Sequence, residues 1–476
     1  MARVWKQGVT LLTGSGMAQL LPALAAPLIT RVYQPHQFGV FAFVLAAFGI
    51  LVPVACLRYD IAIVLPERDE EAVSIAALCL VVAIALPVAL VAALLLVELY
   101  ARQHVREIGL LLLTMLPAGG FLQGCQLVAQ GWCLRKQNFK VMSLATATQA
   151  FVTVASQLIL GTFFAPSALN LVLGALLGNA CAVLIFSPTL VGTVWRIAQI
   201  HTTPKLLATT ALRYRRFPLI AAPYAFSGQA SVRGALLVLA LWLPAAIVGQ
   251  YALALRVTFL PVMTVTAALG HVFYARAARD LDQPRTQHVV RTVLRLGPWI
   301  IGPFFMLLAL YGRQIFSIAF GTGWAVAGQF AGILALAAFA KTSTSWLDRI
   351  FDIRSRQHLA LAVEALFGVL ALAAMYLILD RTHDAEAGVA GYTLVIALFY
   401  VIWMMLALRV ARFARRISSE YLLSSLVMVA VMLGAYESVH QLHASPLAEF
   451  AVMGLIGATL CAIALQRSAI RMTQSW

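Results

Sequence analysis

The sequence predicts an all-α integral membrane protein of about 14 transmembrane helices, and three observations carry this. Of 476 residues, 62% are hydrophobic and only 11% charged, whereas soluble domains average roughly 45–50% and about 25%. The apolar residues fall in runs of about 20, the length that crosses roughly 30 Å of hydrocarbon. The 34 basic residues gather on one side of these runs, as the retention of Lys and Arg in short cytoplasmic loops requires.

Runs bounded by charged or turn residues mark spans near 9–31, 39–57, 73–97, 108–129, 141–164, 168–190, 218–243 and 246–271. Six more follow near 294–319, 325–347, 359–379, 388–408, 421–440 and 447–466. Glu437, His440 and His443 interrupt the last two, which leaves twelve as the alternative count. With the N-terminus cytoplasmic, 26 of the 34 basic residues lie on the inner side. Arg31, Arg102, Arg106, Arg313 and Arg381 fall outside, and Arg233, Arg256 and Lys341 fall within spans. An even number of spans follows, with both termini in the cytoplasm. The net charge of +16 is then topological and not a mark of nucleic-acid binding, with attraction to anionic membrane lipids as a secondary effect. Arg3 and Lys6 open a first span too long for a signal sequence, and Pro27 follows the small-residue stretch Ala23-Leu24-Ala25-Ala26, so this span is expected to stay in the chain.

The connections divide the spans. Residues 1–190 make an N-lobe of six spans, and 191–217 form a basic linker carrying Trp195, Arg196, Lys205 and Arg213-Tyr214-Arg215-Arg216. Residues 218–408 make a C-lobe of six, and 409–476 a C-terminal helix pair with its tail. A faint echo joins the lobes: Gly16 then Pro35…Gly39-Val40-Phe41-Ala42, against Gly228 then Pro244…Gly249-Gln250-Tyr251-Ala252. Both copies start on the same side, so the repeat is parallel, with a pseudo-two-fold along the membrane normal. A second inner connection, 272–293, contains Asp280-Leu281-Asp282, which invites comparison with a metal-binding DxD; a solvated surface helix is the stronger reading.

Enzyme signatures are missing from the sequence: HExxH, GxSxG and Walker loops do not occur. The six cysteines (56, 79, 125, 133, 181 and 461) sit singly in apolar stretches, which indicates neither a disulfide framework nor a metal site. Outer loops of about ten residues or fewer leave no room for a catalytic centre. No catalytic residue and no cofactor is assigned, and any work must come from an ion gradient, proton or sodium, or from a substrate gradient.

The informative residues are charges placed where charge is costly, roughly 2.5–3.5 kcal/mol for Arg or Lys at mid-span. Arg233, Arg256 and Lys341, the last inside Lys341-Thr342-Ser343-Thr344-Ser345, have few carboxylates to neutralise them. Glu364 and Glu437 lie within spans, and Asp60 and Asp348 at boundaries. Arg31 and Arg58 near span ends serve a function or snorkel to the interface, with equal weight. Cations without partners inside a bundle suit an anionic guest, and guanidinium forks suit phosphate oxygens. Glu364, and with less weight Asp60 and Asp348, are candidates to carry a coupling ion. Trp242, Trp299, Trp346 and Trp403 are candidates to stack on rings of a guest, although packing is the commoner use of Trp in spans.

The stretch Pro27-Leu28-Ile29-Thr30-Arg31-Val32-Tyr33-Gln34-Pro35-His36-Gln37-Phe38-Gly39 resembles the first-loop signature of bacterial polysaccharide-biosynthesis flippases of the multidrug/oligosaccharidyl-lipid/polysaccharide (MOP) exporter superfamily. Leu57-Arg58-Tyr59-Asp60-Ile61-Ala62-Ile63-Val64-Leu65-Pro66, Gly249-Gln250-Tyr251-Ala252-Leu253-Ala254-Leu255-Arg256, Phe320-Gly321-Thr322-Gly323-Trp324 and Ala327-Gly328 extend it to about residue 360. The resemblance implies two six-helix lobes around a central cavity that opens to one side at a time. It implies as cargo an undecaprenyl-diphosphate-linked oligosaccharide, an O-antigen or exopolysaccharide repeat unit, and as partners a polysaccharide polymerase and chain-length proteins. Arg31, Arg58 and Arg256 fall within the shared motifs, whereas Arg233 and Lys341 rest on burial alone. The last third departs from the pattern. The alternatives are a peptidoglycan-precursor flippase, a multidrug-type ion antiporter of the same fold, or, from another class, a membrane glycosyltransferase or polymerase.

Overall fold

The computed structural model describes residues 20–52, 55–100, 106–199, 203–442 and 445–473. The expectations placed on Arg3, Lys6, Gly16, Arg102 and His443 lie outside the described residues. Every regular element among the described residues is helical. In chain order these are α1 (Ala26–Val32), α2 (Pro35–Leu51), α3 (Tyr59–Ala62), α4 (Asp69–Tyr100), α5 (Arg106–Arg135), α6 (Phe139–Phe163), α7 (Ala168–Gln199), α8 (Pro204–Arg213) and α9 (Ala222–Trp242). They continue as α10 (Ala245–Asp280), α11 (Pro284–Phe320), α12 (Ala325–Thr344), α13 (Arg349–Ile353), α14 (Gln357–Thr382), α15 (Ala385–Val410), α16 (Arg416–His440) and α17 (Pro446–Thr473).

Eleven helices among the described residues are long and apolar enough to cross a membrane, and Pro35–Leu51 is a shorter apolar helix beside them. The protein is thus a multi-pass, all-helical membrane protein. Helices are the form a spanning chain takes, because lipid offers no partner to backbone amides and carbonyls. The chain divides into two compact units, residues 1–249 and 250–476.

In the first unit, the neighbouring helices α6 and α7 pack along their length. A core of Cys56, Tyr59, Ile63, Ile75, Cys79, Val128 and Trp132 ties α3, α4 and α5 together. The linker docks back on this core. Thr203 caps α8, accepting from the Leu206 amide at 3.3 Å, and Tyr214 donates to Glu71 Oε1 at 2.9 Å while Arg213 pairs with the same oxygen at 2.8 Å. At the start of the unit, Gln34 and Gln37 form a reciprocal capping box on α2, and Gln37 Nε2 donates to the Pro166 carbonyl at 3.0 Å.

In the second unit, α11 packs closely against α12, and α16 and α17 both pack on α11. Trp346, Leu347, Phe351, Trp403, Met404 and Tyr421 fill a core at one end. The connection expected as a surface helix over 272–293 is instead mostly a continuation of the spans: α10 runs on to Asp280 and α11 starts at Pro284. No Gly or Pro interrupts residues 271–283, and Pro284 at the first position of α11 marks the restart. Within this turn Asp280 accepts from Gln283 Nε2 at 2.9 Å and Asp282 pairs with Arg354, so both acidic side chains of the DxD have protein partners.

Candidate functional site

Glycine contacts set the helices that carry the motif residues. A Cβ on Gly39 would lie 1.7 Å from the Ala245 carbonyl oxygen, and one on Gly249 would lie 2.1 Å from that of Pro35. Each glycine thus faces the carbonyl four residues before the other, a reciprocal backbone contact between the two halves of the sequence echo. Tyr33, buried, anchors the same segment by donating to the Gln157 carbonyl at 2.7 Å. Arg31, one residue from the end of α1, is exposed.

Arg58 follows another constraint. Leu57 and Arg58 both adopt left-handed backbone, with φ of 47° and 61°, a conformation that is costly for bulky residues and concentrates at functional positions. Arg58 Nε and Asp60 Oδ1 are both buried without a hydrogen-bond partner, and the two side chains do not form a contact ion pair. Burial pushes the Asp60 carboxyl above its ordinary value, and the Arg58 charge pulls it partly back.

Arg233, half-buried in α9, donates through Nε to Gln229 Oε1 at 2.9 Å and through a terminal nitrogen to the Leu45 carbonyl at 3.4 Å. Its guanidinium lies over Gly49: a Cβ there would sit 2.3 Å from the Arg233 Cζ. The missing side chain at residue 49 makes room for the charge. Deeper polar groups of the same unit form a network that the sequence did not announce. Gln126 Nε2 donates to the Asn179 carbonyl and Oδ1 at 3.0 and 3.2 Å, and Gln149 Nε2 donates to Asn179 Oδ1 at 2.8 Å.

The second unit holds Arg256 and Lys341. Arg256 on α10 is half-buried and makes no hydrogen bond or ion pair with any described residue. Lys341 on α12 lies between two aromatic faces, 5.5 Å from the Phe259 ring centroid and 5.9 Å from that of Tyr400, a setting that steadies an ammonium without neutralising it. Glu364 is within electrostatic reach of Lys341, and Asp348 of Glu364. The structure therefore brings Lys341, Glu364, Asp348 and Tyr400 together and leaves Asp60 with Arg58. Asp348 also has a close cation, Arg349 Nε at 3.6 Å. Two matched motifs are joined by Gln250, which donates to the Gly323 carbonyl at 2.6 Å and accepts from the Ala327 amide at 2.8 Å.

The tryptophans divide differently. Trp346 and Trp403 are buried in the core, Trp346 Nε1 donating to the Ser343 carbonyl at 2.8 Å, and Trp299 Nε1 donates to Ser424 Oγ at 2.9 Å. Trp242 is half-buried at the end of α9. Packing, not a sugar platform, accounts for Trp346 and Trp403.

The sequence profile described as "Polysaccharide biosynthesis protein" matches residues 28–329, more than half of the chain. No curated protein sequence is significantly similar. Among solved structures, the inward closed conformation of the lipid II flippase MurJ aligns with a TM-score of 0.70 at 12% identity, covering 98% of this chain and 100% of that one. An inward-facing multidrug resistance MATE family transporter of the MOP superfamily aligns at 0.60 with 15% identity, covering 84% and 95%. A MOP superfamily transporter from Pyrococcus furiosus aligns at 0.54 with 13% identity, covering 87% and 94%. The fold is thus the one seen in the MATE transporter of the MOP superfamily and in the MurJ flippase, and by sequence the chain belongs to the polysaccharide biosynthesis protein family.

Proposed function

We propose that the protein carries undecaprenyl-diphosphate-linked oligosaccharide repeat units from the cytoplasmic to the periplasmic leaflet of the inner membrane, by alternating access, for surface polysaccharide assembly. The observation that carries this reading is the set of cations within or beside the spans, Arg58, Arg233, Arg256 and Lys341, none of which has an acidic partner within ion-pair distance among the described residues. A diphosphate head supplies the missing negative charge at each stage of its passage, and its oxygens match guanidinium donors. Arg31 and Arg58 receive the head near span ends, and Arg233, Arg256 and Lys341 hold it in the membrane interior. The polyprenyl tail stays in lipid, and no covalent bond breaks. Glu364, within electrostatic reach of Lys341 and Asp348, is the carboxylate assigned to coupling with a proton or sodium ion; Asp60 and Asp348 rank behind it. A polysaccharide polymerase and chain-length proteins are the partners this role requires.

The test is transfer in proteoliposomes loaded with a fluorescent undecaprenyl-diphosphate oligosaccharide, read by quenching from the outside. The wild type should equilibrate the label across the bilayer. Arg233→Ala and Arg256→Ala, at wild-type expression, should each slow it by at least about tenfold, the loss of one charge-assisted hydrogen bond or more. Normal transfer by both variants would reject the reading. Transfer of a peptidoglycan precursor in place of the oligosaccharide would move the protein to the other lipid-linked cargo, and transfer of cationic drugs would move it to the antiporters.

A further inference from the structure

The ends of α5 and α7 and the start of α6 enclose a pocket of about 200 Å3, lined among others by Trp132, Lys136, Asn138, Thr189, Thr193 and Arg196. Four features of it point to an anion. Arg135, Lys136 and Arg196 all face the single carboxylate of Asp69, at 2.8, 2.9 and 3.8 Å, which leaves an excess of positive charge at its mouth. Asn138, at the N-cap of α6, makes no capping hydrogen bond with its side chain, so the first amides and the positive end of a 25-residue helix are open to a ligand. Trp132 is only 3% exposed, yet its indole N–H has no acceptor in the protein, and a buried donor left unmade is costly. Arg196 lies over the Trp132 ring, 5.5 Å from its centroid, held at the pocket rather than released to solvent.

We propose that this pocket binds the phosphate head group of an anionic membrane phospholipid. The volume, about 200 Å3, lies below the roughly 300–1,000 Å3 of drug-sized sites, so it takes a phosphate ester and not a sugar nucleotide. The source is lipid because exposed apolar side chains flank the pocket on the same helices, Leu134 on α5 and Val191 and Val194 on α7, and these meet acyl chains when the head group is seated. Lys136 and Arg196 are the charge contacts, the Trp132 N–H and the α6 amides the neutral donors, and the Thr189 and Thr193 hydroxyls complete the wall. Basic pockets at the ends of spanning helices hold lipid head groups on these terms. Nothing in the site depends on which cargo is carried.

The test uses the full-length protein in nanodiscs of phosphatidylcholine and phosphatidylglycerol, with retained lipid counted by native mass spectrometry. The wild type should retain phosphatidylglycerol over phosphatidylcholine by about tenfold or more. The double variant Lys136→Gln/Arg196→Gln should lower that preference about tenfold, and Trp132→Phe, which keeps the ring and removes only the N–H, about threefold. Lys205→Gln, an exposed cation outside the pocket, should change nothing; an equal loss there would mean general surface attraction and would overturn the site. Equal retention of both lipids by the wild type, or unchanged preference in Trp132→Phe and the double variant alike, would also overturn it. Full displacement by millimolar inorganic phosphate would reassign the pocket to a free anion and reject the lipid.

Discussion

A charge kept where it weakens the fold is best explained by what it does, and Arg256 makes this testable. Replacing it with Met removes the burial cost of a guanidinium that has no described hydrogen-bond partner, of the order of 2 kcal/mol for an Arg within a span. The melting temperature of Arg256→Met in detergent should equal or exceed that of the wild type while transfer falls about tenfold or more. A structural Arg would lose both together. Asp60 gives a second test through pH. Its folded pKa is raised by burial, so the folded state holds the proton more tightly than the unfolded chain, and stability falls as pH rises from about 3.9, the ordinary value, through the raised one. Asp60→Asn should therefore melt higher than the wild type at pH 7 to 8, and the difference should vanish below about pH 4; a gap that persists in acid would show that the carboxylate was not charged at a cost. The sequence picked out these residues by their type alone. It did not reveal their partners, because Gln229 beside Arg233, Gly49 beneath it, and Phe259 and Tyr400 around Lys341 are ordinary residues of apolar helices until the fold brings them together.

The helices themselves were more legible than their contacts. Apolar runs of about 20 residues mark spans because length and composition suffice, and the observed helices follow them with longer ends, as at α10 and α11. The short α3 and α13 and the π-type turn at Phe217–Ala221 carry no periodic signal, so the sequence gives no notice of them. Packing between helices depends on small residues, since lipid is as apolar as a leucine side chain and gives no hydrophobic drive for helices to associate. In the second unit a Cβ on Gly312 would lie 2.3 Å from the Gly328 carbonyl oxygen, and one on Gly328 would lie 2.1 Å from that of Gly312. No rotamer relieves a Cβ that meets backbone, so even Gly328→Ala should force α11 and α12 apart. Gly328→Ala is expected to lower the melting temperature by several degrees, a loss of about 1–3 kcal/mol, and Gly328→Leu to abolish folded yield. Gly323→Ala, where a Cβ would meet open space, should do neither. Differential scanning fluorimetry and size-exclusion yield distinguish these outcomes. Gly328 stands in a matched motif, and the contact supplies the physical reason a glycine is needed there.

At the scale of the whole molecule, the described residues offer cations without ion-pair partners but few tryptophans free of packing. Two of the four tryptophans that the sequence offered as sugar platforms are core residues, and Trp299 is hydrogen-bonded to Ser424, whereas Arg58, Arg233, Arg256 and Lys341 have no acidic partner within ion-pair distance among the described residues. Under the proposed function the diphosphate is then the part of the cargo that is held, and the glycan is carried with it. It follows that undecaprenyl diphosphate without any sugar should compete with the labelled oligosaccharide lipid about as well as the unlabelled full substrate does. Undecaprenyl monophosphate, with one phosphate fewer to engage the guanidinium groups, should compete about tenfold more weakly, the worth of one charge-assisted hydrogen bond of roughly 1.5–3 kcal/mol. Arg256→Lys, which keeps the charge and loses the bidentate fork, should narrow the gap between the two lipids more than it slows the monophosphate. Competition in the proteoliposome assay measures all three. If the bare diphosphate failed to compete while free oligosaccharide succeeded, recognition would belong to the glycan, and the cations would need another explanation.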